Sequence, residues 1–253
     1  MSLPADITLR QKVETELEWD PEVDASKIGV TAEDGQVELS GQVRSYSEKW
    51  SAERIARRVY GVQALENEIE VLLPDVDHMD DAHMDDAHIV ESALSALNWN
   101  FIVPQARIRV LATRGFITLE GDVDWHYQKR AAEDAIRCLR GVRGMSNQIA
   151  VTAHVRVGDV KSKIEAALKR NAEIDARNVI IETDDGSVTL SGLVRSWAEH
   201  DDALTAAWGT PGVTKVVDHL AISVLPAFRA GFGREEAPER SGGEAHGGFA
   251  TKD

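Results

Sequence analysis

Apolar positions along the chain change from one period to another, and the change recurs three times. Leu9, Val13 and Leu17 fall four apart, as do Ile89, Ala93 and Leu97, and again Val160, Ile164 and Leu168. That spacing lines one face of a helix. Each stripe is followed by a polar stretch and then by apolar residues that alternate with polar ones. Ile28/Val30 and Val37/Leu39 do so in the first copy, Ile117/Leu119 in the second and Val188/Leu190 in the third. Alternation with period two marks a half-buried strand. The strands frame a repeated segment: residues 34–44 (DGQVELSGQVR), 114–124 (RGFITLEGDVD) and 185–195 (DGSVTLSGLVR). Its first glycine supplies the turn of a hairpin.

A second helix follows each hairpin. Ser45-x-x-Glu48 and Ser196-x-x-Glu199 read as capping boxes, in which two side chains satisfy N–H groups of a helix's first turn. Trp125 stands at the Ser45 position of the second copy, so Asp124 is expected to cap there, and Asp6 or Thr8 is expected to cap the first helix of the chain. Ala52, Ile55, Ala56 and Val59 give the second helix a narrow apolar face. Gly-Val pairs at Gly61, Gly141 and Gly212 lie 20 residues after the second hairpin glycine in every copy, with Gly61 expected as C′. A last alternating run, ENEIEVLL in the first copy, closes the unit. The element order is αββαβ, and the fold class is α+β with three tandem modules, each of two helices and three strands.

Module boundaries are expected at residues 6–73, 86–152 and 157–225, with a His/Asp-rich linker over 74–85 and a disordered tail over 226–253, where glycine and charge replace branched aliphatics. The short junction after module two predicts that modules two and three sit closer together than modules one and two. Gly35, Gly41, Gly61, Gly115, Gly121, Gly141, Gly186, Gly192 and Gly212 set the register of the three units and are read as fold determinants.

Modules of roughly 70 residues bury modest cores, so contacts between them are expected to matter. The formal charge of −15 argues against nucleic acid and against long-range attraction to anionic lipid. Arg54, Arg57 and Arg58, with Lys129, Arg130, Arg137, Arg140 and Arg143, are the candidate basic patches, although exposed helix faces commonly carry such charge. Cys138, in the predicted second helix of module two, is the sole cysteine, so no intramolecular disulfide forms. No apolar run approaches the ~18 residues of a membrane span. The opening residues MSLPADITLRQ lack the basic and apolar regions of a secretory signal, which predicts a cytoplasmic location.

No Gly-rich phosphate loop, nucleophile elbow or H-E-x-x-H signature occurs, and adjacent aspartates such as Asp184-Asp185 diverge in either helix or strand. No cofactor is expected. His78, His83 and His88, in the tandem HMDDA repeat, are weak metal candidates. The tryptophans carry more. Trp19 and Trp99 share one position past the first helix, and Trp125 and Trp197 lie after the hairpins near the position of Tyr46. Such rings anchor a partner, a sister module or a membrane interface; the competing assignment is that they cap the small cores.

Laid out in this register, all three modules resemble the BON domain, named for bacterial osmotically inducible and nodulation proteins. The resemblance rests on the apolar first helix, the V-x-x-x-x-G-x-V-x-L-x-G-x-V hairpin (residues 30–43, with 110–123 and 181–194 close to it), the Gly-Val helix end and a closing strand after Asn67, Asn147 or Asp218. It implies two helices on one face of a small mixed sheet and a non-catalytic role in stress tolerance, through contact with phospholipid head groups, other envelope components or a protein partner. Trp19, Trp99, Trp125, Trp197, Arg54, Arg57 and Arg58 are the expected interaction surface. The alternative is a self-associating scaffold whose modules dock on one another.

Overall fold

The computed structural model describes residues 4–73, 86–152, 160–170 and 178–223. The predicted linker, the junction after module two and the predicted tail lie outside them, as do residues 157–159 and 171–177 of module three. Module one comprises α1 (Pro4–Trp19), the hairpin β1 (Ile28–Glu33) and β2 (Gln36–Val43), α2 (Tyr46–Arg58), and a closing strand in two pieces, β3 (Ala64–Asn67) and β4 (Glu70–Val71). Module two repeats this as α3 (Asp86–Trp99), β5 (Ile108–Thr113), β6 (Phe116–Val123), α4 (His126–Arg137), β7 (Gly144–Asn147) and β8 (Ala150–Val151). Module three has α5 (Val160–Arg170), β9 (Val179–Asp184), β10 (Ser187–Val194), α6 (Trp197–Trp208) and an unbroken β11 (Lys215–Ile222).

In every module the second hairpin strand is central, antiparallel to the first strand and parallel to the closing one. The helices cover one face. Val37, Leu39 and Val43 of β2 are buried, as are Ile117, Leu119 and Val123 of β6 and Val188, Leu190 and Val194 of β10. Against them pack Leu9, Val13 and Leu17 of α1 with Ala52, Ile55 and Ala56 of α2, and their counterparts in module two. Alanine on the second helix lets it approach the sheet closely, which a set of larger residues would prevent.

Two features tie helices to strands. Asp86 accepts hydrogen bonds from the Gly115 and Arg114 amides at 2.9 and 2.8 Å, which hold its carboxyl below the usual carboxylate range. Asp6 does the same for the Asp34 amide at 3.0 Å. Asp6 therefore lies inside the first turn of α1, which begins at Pro4, and serves the hairpin turn instead of capping the helix as expected. Asn67 interrupts the closing strand: its Nδ2 donates to the Lys49 carbonyl and Glu53, and its Oδ1 accepts from the Ile69 amide. Asn147 repeats this arrangement. Asp218 takes that place in module three, with Oδ2 2.8 Å from His200 Nε2.

Three local expectations are corrected. Asp124 does not cap α4, because it pairs with Arg107; the N-cap is Trp125, whose amide and that of Asp124 donate to Gln128 Oε1. Helix α2 ends at Arg58 with Val59 as C-cap, so Gly61 lies one residue beyond C′. Cys138 is the exposed C-cap of α4 and not a helix-interior residue. Ser45 and Ser196 cap as expected, each accepting from the amide three residues on at 3.2 Å.

Candidate functional site

The aromatic residues fall into two groups, one in solvent and one between modules. At the end of α3 the chain turns sharply because the Asn100 side chain accepts from the Ile102 amide and its carbonyl from the Val103 amide. Val103 is thereby drawn into the core, while Trp99 and Phe101 stand 88% and 95% exposed beside a partly exposed Ile102. In module one Asp20 forms the same turn and Val23 is buried, but Pro21 and Glu22 replace Phe101 and Ile102. Only Trp19, 81% exposed, is aromatic at that tip. Neither tryptophan covers a core.

The second group joins the modules. Tyr46 at the start of α2 packs against the core of module two within electrostatic reach of Arg137, near the end of α4. His126 at the start of α4 stacks on Trp208 at the end of α6, with ring centroids 4.1 Å apart and planes 8° from parallel. Trp197 at the start of α6 packs on the core of module one, with the Arg57 guanidinium near the end of α2 4.7 Å from its ring centroid. The pairs Tyr46–Arg137, His126–Trp208 and Trp197–Arg57 occupy equivalent positions. One contact, used three times, closes the second helices into a head-to-tail cycle. Modules one and three, furthest apart in sequence, are thus in contact. Modules two and three meet through the His126–Trp208 stack, and the junction of α4 and α6 retains a cleft of about 800 Å³.

Trp50 strengthens the first junction. Its ring lies 3.5 Å from the Arg137 guanidinium carbon and 5.5 Å from that of Arg54. Arg54 also pairs with Glu22 at 3.2 Å, and Arg57 with Glu53 at 2.6 Å. Of the three candidate arginines, two are held in intramolecular contacts, and Arg58 is exposed. Trp125 is 40% exposed and stacks on Tyr127 with centroids 6.4 Å apart. His88 is exposed and within 4.0 Å of Glu91, whereas His78 and His83 lie outside the described residues. Among the described residues no three ligand side chains converge as a metal site, and no helix is long and apolar enough to cross a membrane.

Two histidines have opposite pH dependences, His126 in the cycle and His200 within module three. Burial, assisted by Arg130 and Lys129, pushes His126 down to about 4. Its neutral form is favoured in the fold, so its contribution is full above the unfolded value near 6.5 and declines as pH falls toward 4. The shift corresponds to at most about 3 kcal/mol, which solvent screening reduces to the order of 1 kcal/mol. The difference in unfolding free energy between the native chain and His126→Phe, from urea melts, should therefore change by that amount between pH 7 and 4.5, in favour of the variant at low pH. His200 is held above its ordinary value by its hydrogen bond to Asp201 and by the charge of and bond to Asp218, which outweigh burial. Its contribution is full below about 6.5 and disappears as pH rises through the folded value. Asp218→Asn should accordingly be most destabilised, relative to the native chain, at the acidic end of that window.

The repeated modules have counterparts among known proteins. A family model described as "BON domain" matches residues 5–72, 85–153 and 157–223. "Osmotically-inducible protein Y" of Escherichia coli (strain K12) is 34% identical over 125 residues, covering 45% of this chain and 60% of that protein. A "21 kDa hemolysin" of Actinobacillus pleuropneumoniae is 29% identical over 119 residues, covering 45% of this chain and 61% of that protein. The chain thus spans about three-fifths of the length of these curated relatives. The C-terminal domain of CdsD, a structural protein of the Type III secretion system of Chlamydia trachomatis, aligns at 15% identity over 87% of this chain and 98% of its own, with a TM-score of 0.23.

Proposed function

The chain belongs to the BON-domain family, three copies of which span most of its length, and on that premise we propose that it is a non-catalytic, stress-linked protein that seats its aromatic tips on phospholipid. The observation that carries the proposal is the exposure of Trp99, Phe101 and Ile102 on one turn, with Trp19 exposed at the same place in module one. Tryptophan is favoured at the headgroup level, where its body meets hydrocarbon and its N–H remains hydrated. Exposed apolar side chains gathered on one turn, away from the packed cores, suit a surface contact better than a soluble end of a helix. The similarity to an osmotically inducible protein supports the stress link.

The charge of −15 narrows the choice of surface. Anionic vesicles repel the chain at long range, so zwitterionic phosphatidylcholine is the expected partner, with little dependence on salt. Co-sedimentation with neutral and anionic vesicles at low and moderate salt tests this. Retention in the supernatant with both compositions would remove the proposal. The scaffold alternative draws on the contacts among α2, α4 and α6. It requires mass to grow with concentration, and light scattering that stays monomeric across a wide range would remove it.

A further inference from the structure

We propose that the cleft between α4 and α6 binds a small aromatic carboxylate. The argument begins with the equivalence of the junctions. Trp50 of α2 and Arg130 of α4 occupy the same module position, as do Arg137 of α4 and Trp208 of α6. At the first junction the Trp50 ring occupies this position and its centroid lies 3.5 Å from the Arg137 guanidinium carbon. At the second, arginine replaces that ring and tryptophan replaces its cation. His126 covers part of Trp208, and about 800 Å³ is left open. This volume falls within the roughly 300–1,000 Å³ usual for small-molecule sites.

The walls specify the occupant. Trp208 near the end of α6, with the stacked pair Trp125 and Tyr127 at the start of α4, gives the cleft an aromatic lining that suits a flat ring. That ring would supply what Trp50 supplies at the first junction. Arg130 is exposed and makes no ion pair among the described residues, so its planar fork is available to a carboxylate. Asp201 also lines the cleft, with its Oδ1 engaged 3.3 Å from His200 Nδ1.

Isothermal titration of the full chain with indole-3-acetate tests the site. Saturable one-to-one binding is expected, with a dissociation constant on the order of 0.1 mM for a ligand of that size. The uncharged indole-3-acetamide should bind about tenfold more weakly, in line with loss of one charged hydrogen-bonded contact. Arg130→Trp restores the first junction's ring and should abolish binding without lowering the urea midpoint. Arg130→Met should erase the preference for the acid over the amide, a change that unfolding cannot imitate. Absence of saturable binding at millimolar indole-3-acetate overturns the proposal, as does equal affinity for acid and amide in the native chain, or unchanged binding in Arg130→Trp.

Discussion

Replacing Trp99 and Phe101 together with serine is expected to weaken binding to phosphatidylcholine vesicles by about 100-fold. Each ring offers on the order of 150–250 Å² of largely apolar surface, worth about 4–6 kcal/mol at 25 cal/mol per Å² if fully dehydrated. A contact at the headgroup level dehydrates part of it, and about 3 kcal/mol for the pair corresponds to the stated factor. The fold should be indifferent, since the two side chains are 88% and 95% exposed and surface substitutions of this kind change stability by about 0.5 kcal/mol or less. Vesicle partitioning beside a urea melt separates the two quantities. Unchanged partitioning would show that the tip does not carry the contact. Ser substitution of Trp19 alone should have the smaller effect, because Pro21 and Glu22 leave module one with a single aromatic at that turn.

A second large effect is expected inside the modules. Gly121→Ala should cost about 3 kcal/mol or more and unfold module two under conditions in which the native chain is fully folded. Gly121 has φ of 131°, and a Cβ there would stand 2.1 Å from the Arg107 carbonyl oxygen, a backbone atom that cannot move aside. Strain of this kind alone costs about 1–3 kcal/mol, and the steric overlap adds to it. In a unit of about 70 residues that is a large share of total stability. Gly41 and Gly192 meet the Lys27 and Asn178 carbonyls in the same way, at 2.1 and 2.0 Å. Chemical denaturation followed by far-ultraviolet dichroism should show loss of about a third of the cooperative signal in Gly121→Ala. A single native-like transition at the native midpoint would refute the assignment of Gly121 as a fold determinant.

The modules were legible in the sequence because their determinants are periodic. Helical stripes, strand alternation and glycines at fixed intervals repeat three times, and each repeat corroborates the others. Two kinds of feature were less accessible. Caps depend on competition for a side chain: Asp6 and Asp124 have the right chemistry for helix starts, but a hairpin turn and Arg107 engage them instead. The cycle of second helices was hidden because its contact reuses a position and not a residue type. Tyr46, His126 and Trp197 differ in chemistry, and so do Arg57, Arg137 and Trp208. The available signal was that the first of these positions is a ring in all three copies. Trp50 and Trp208 were missed for the same reason, since neither recurs as tryptophan in its sister modules. At the tips, equivalence of Trp19 and Trp99 was readable, but the outward placement of Phe101 depends on the Asn100 turn that buries Val103.

The cycle also bears on which surface meets lipid. Arg54, Arg57 and Arg137 face tryptophan rings or carboxylates within the chain, leaving the aromatic tips as the better lipid contact. An environment-sensitive fluorophore can test this orientation directly, with the single native cysteine as an internal control. On Phe101→Cys in a Cys138→Ser background, addition of phosphatidylcholine vesicles is predicted to shift the label's emission to the blue. On native Cys138, exposed at the end of α4 and 3.6 Å from Ser47, the label should not respond. A shift at Cys138 with none at position 101 would contradict the account.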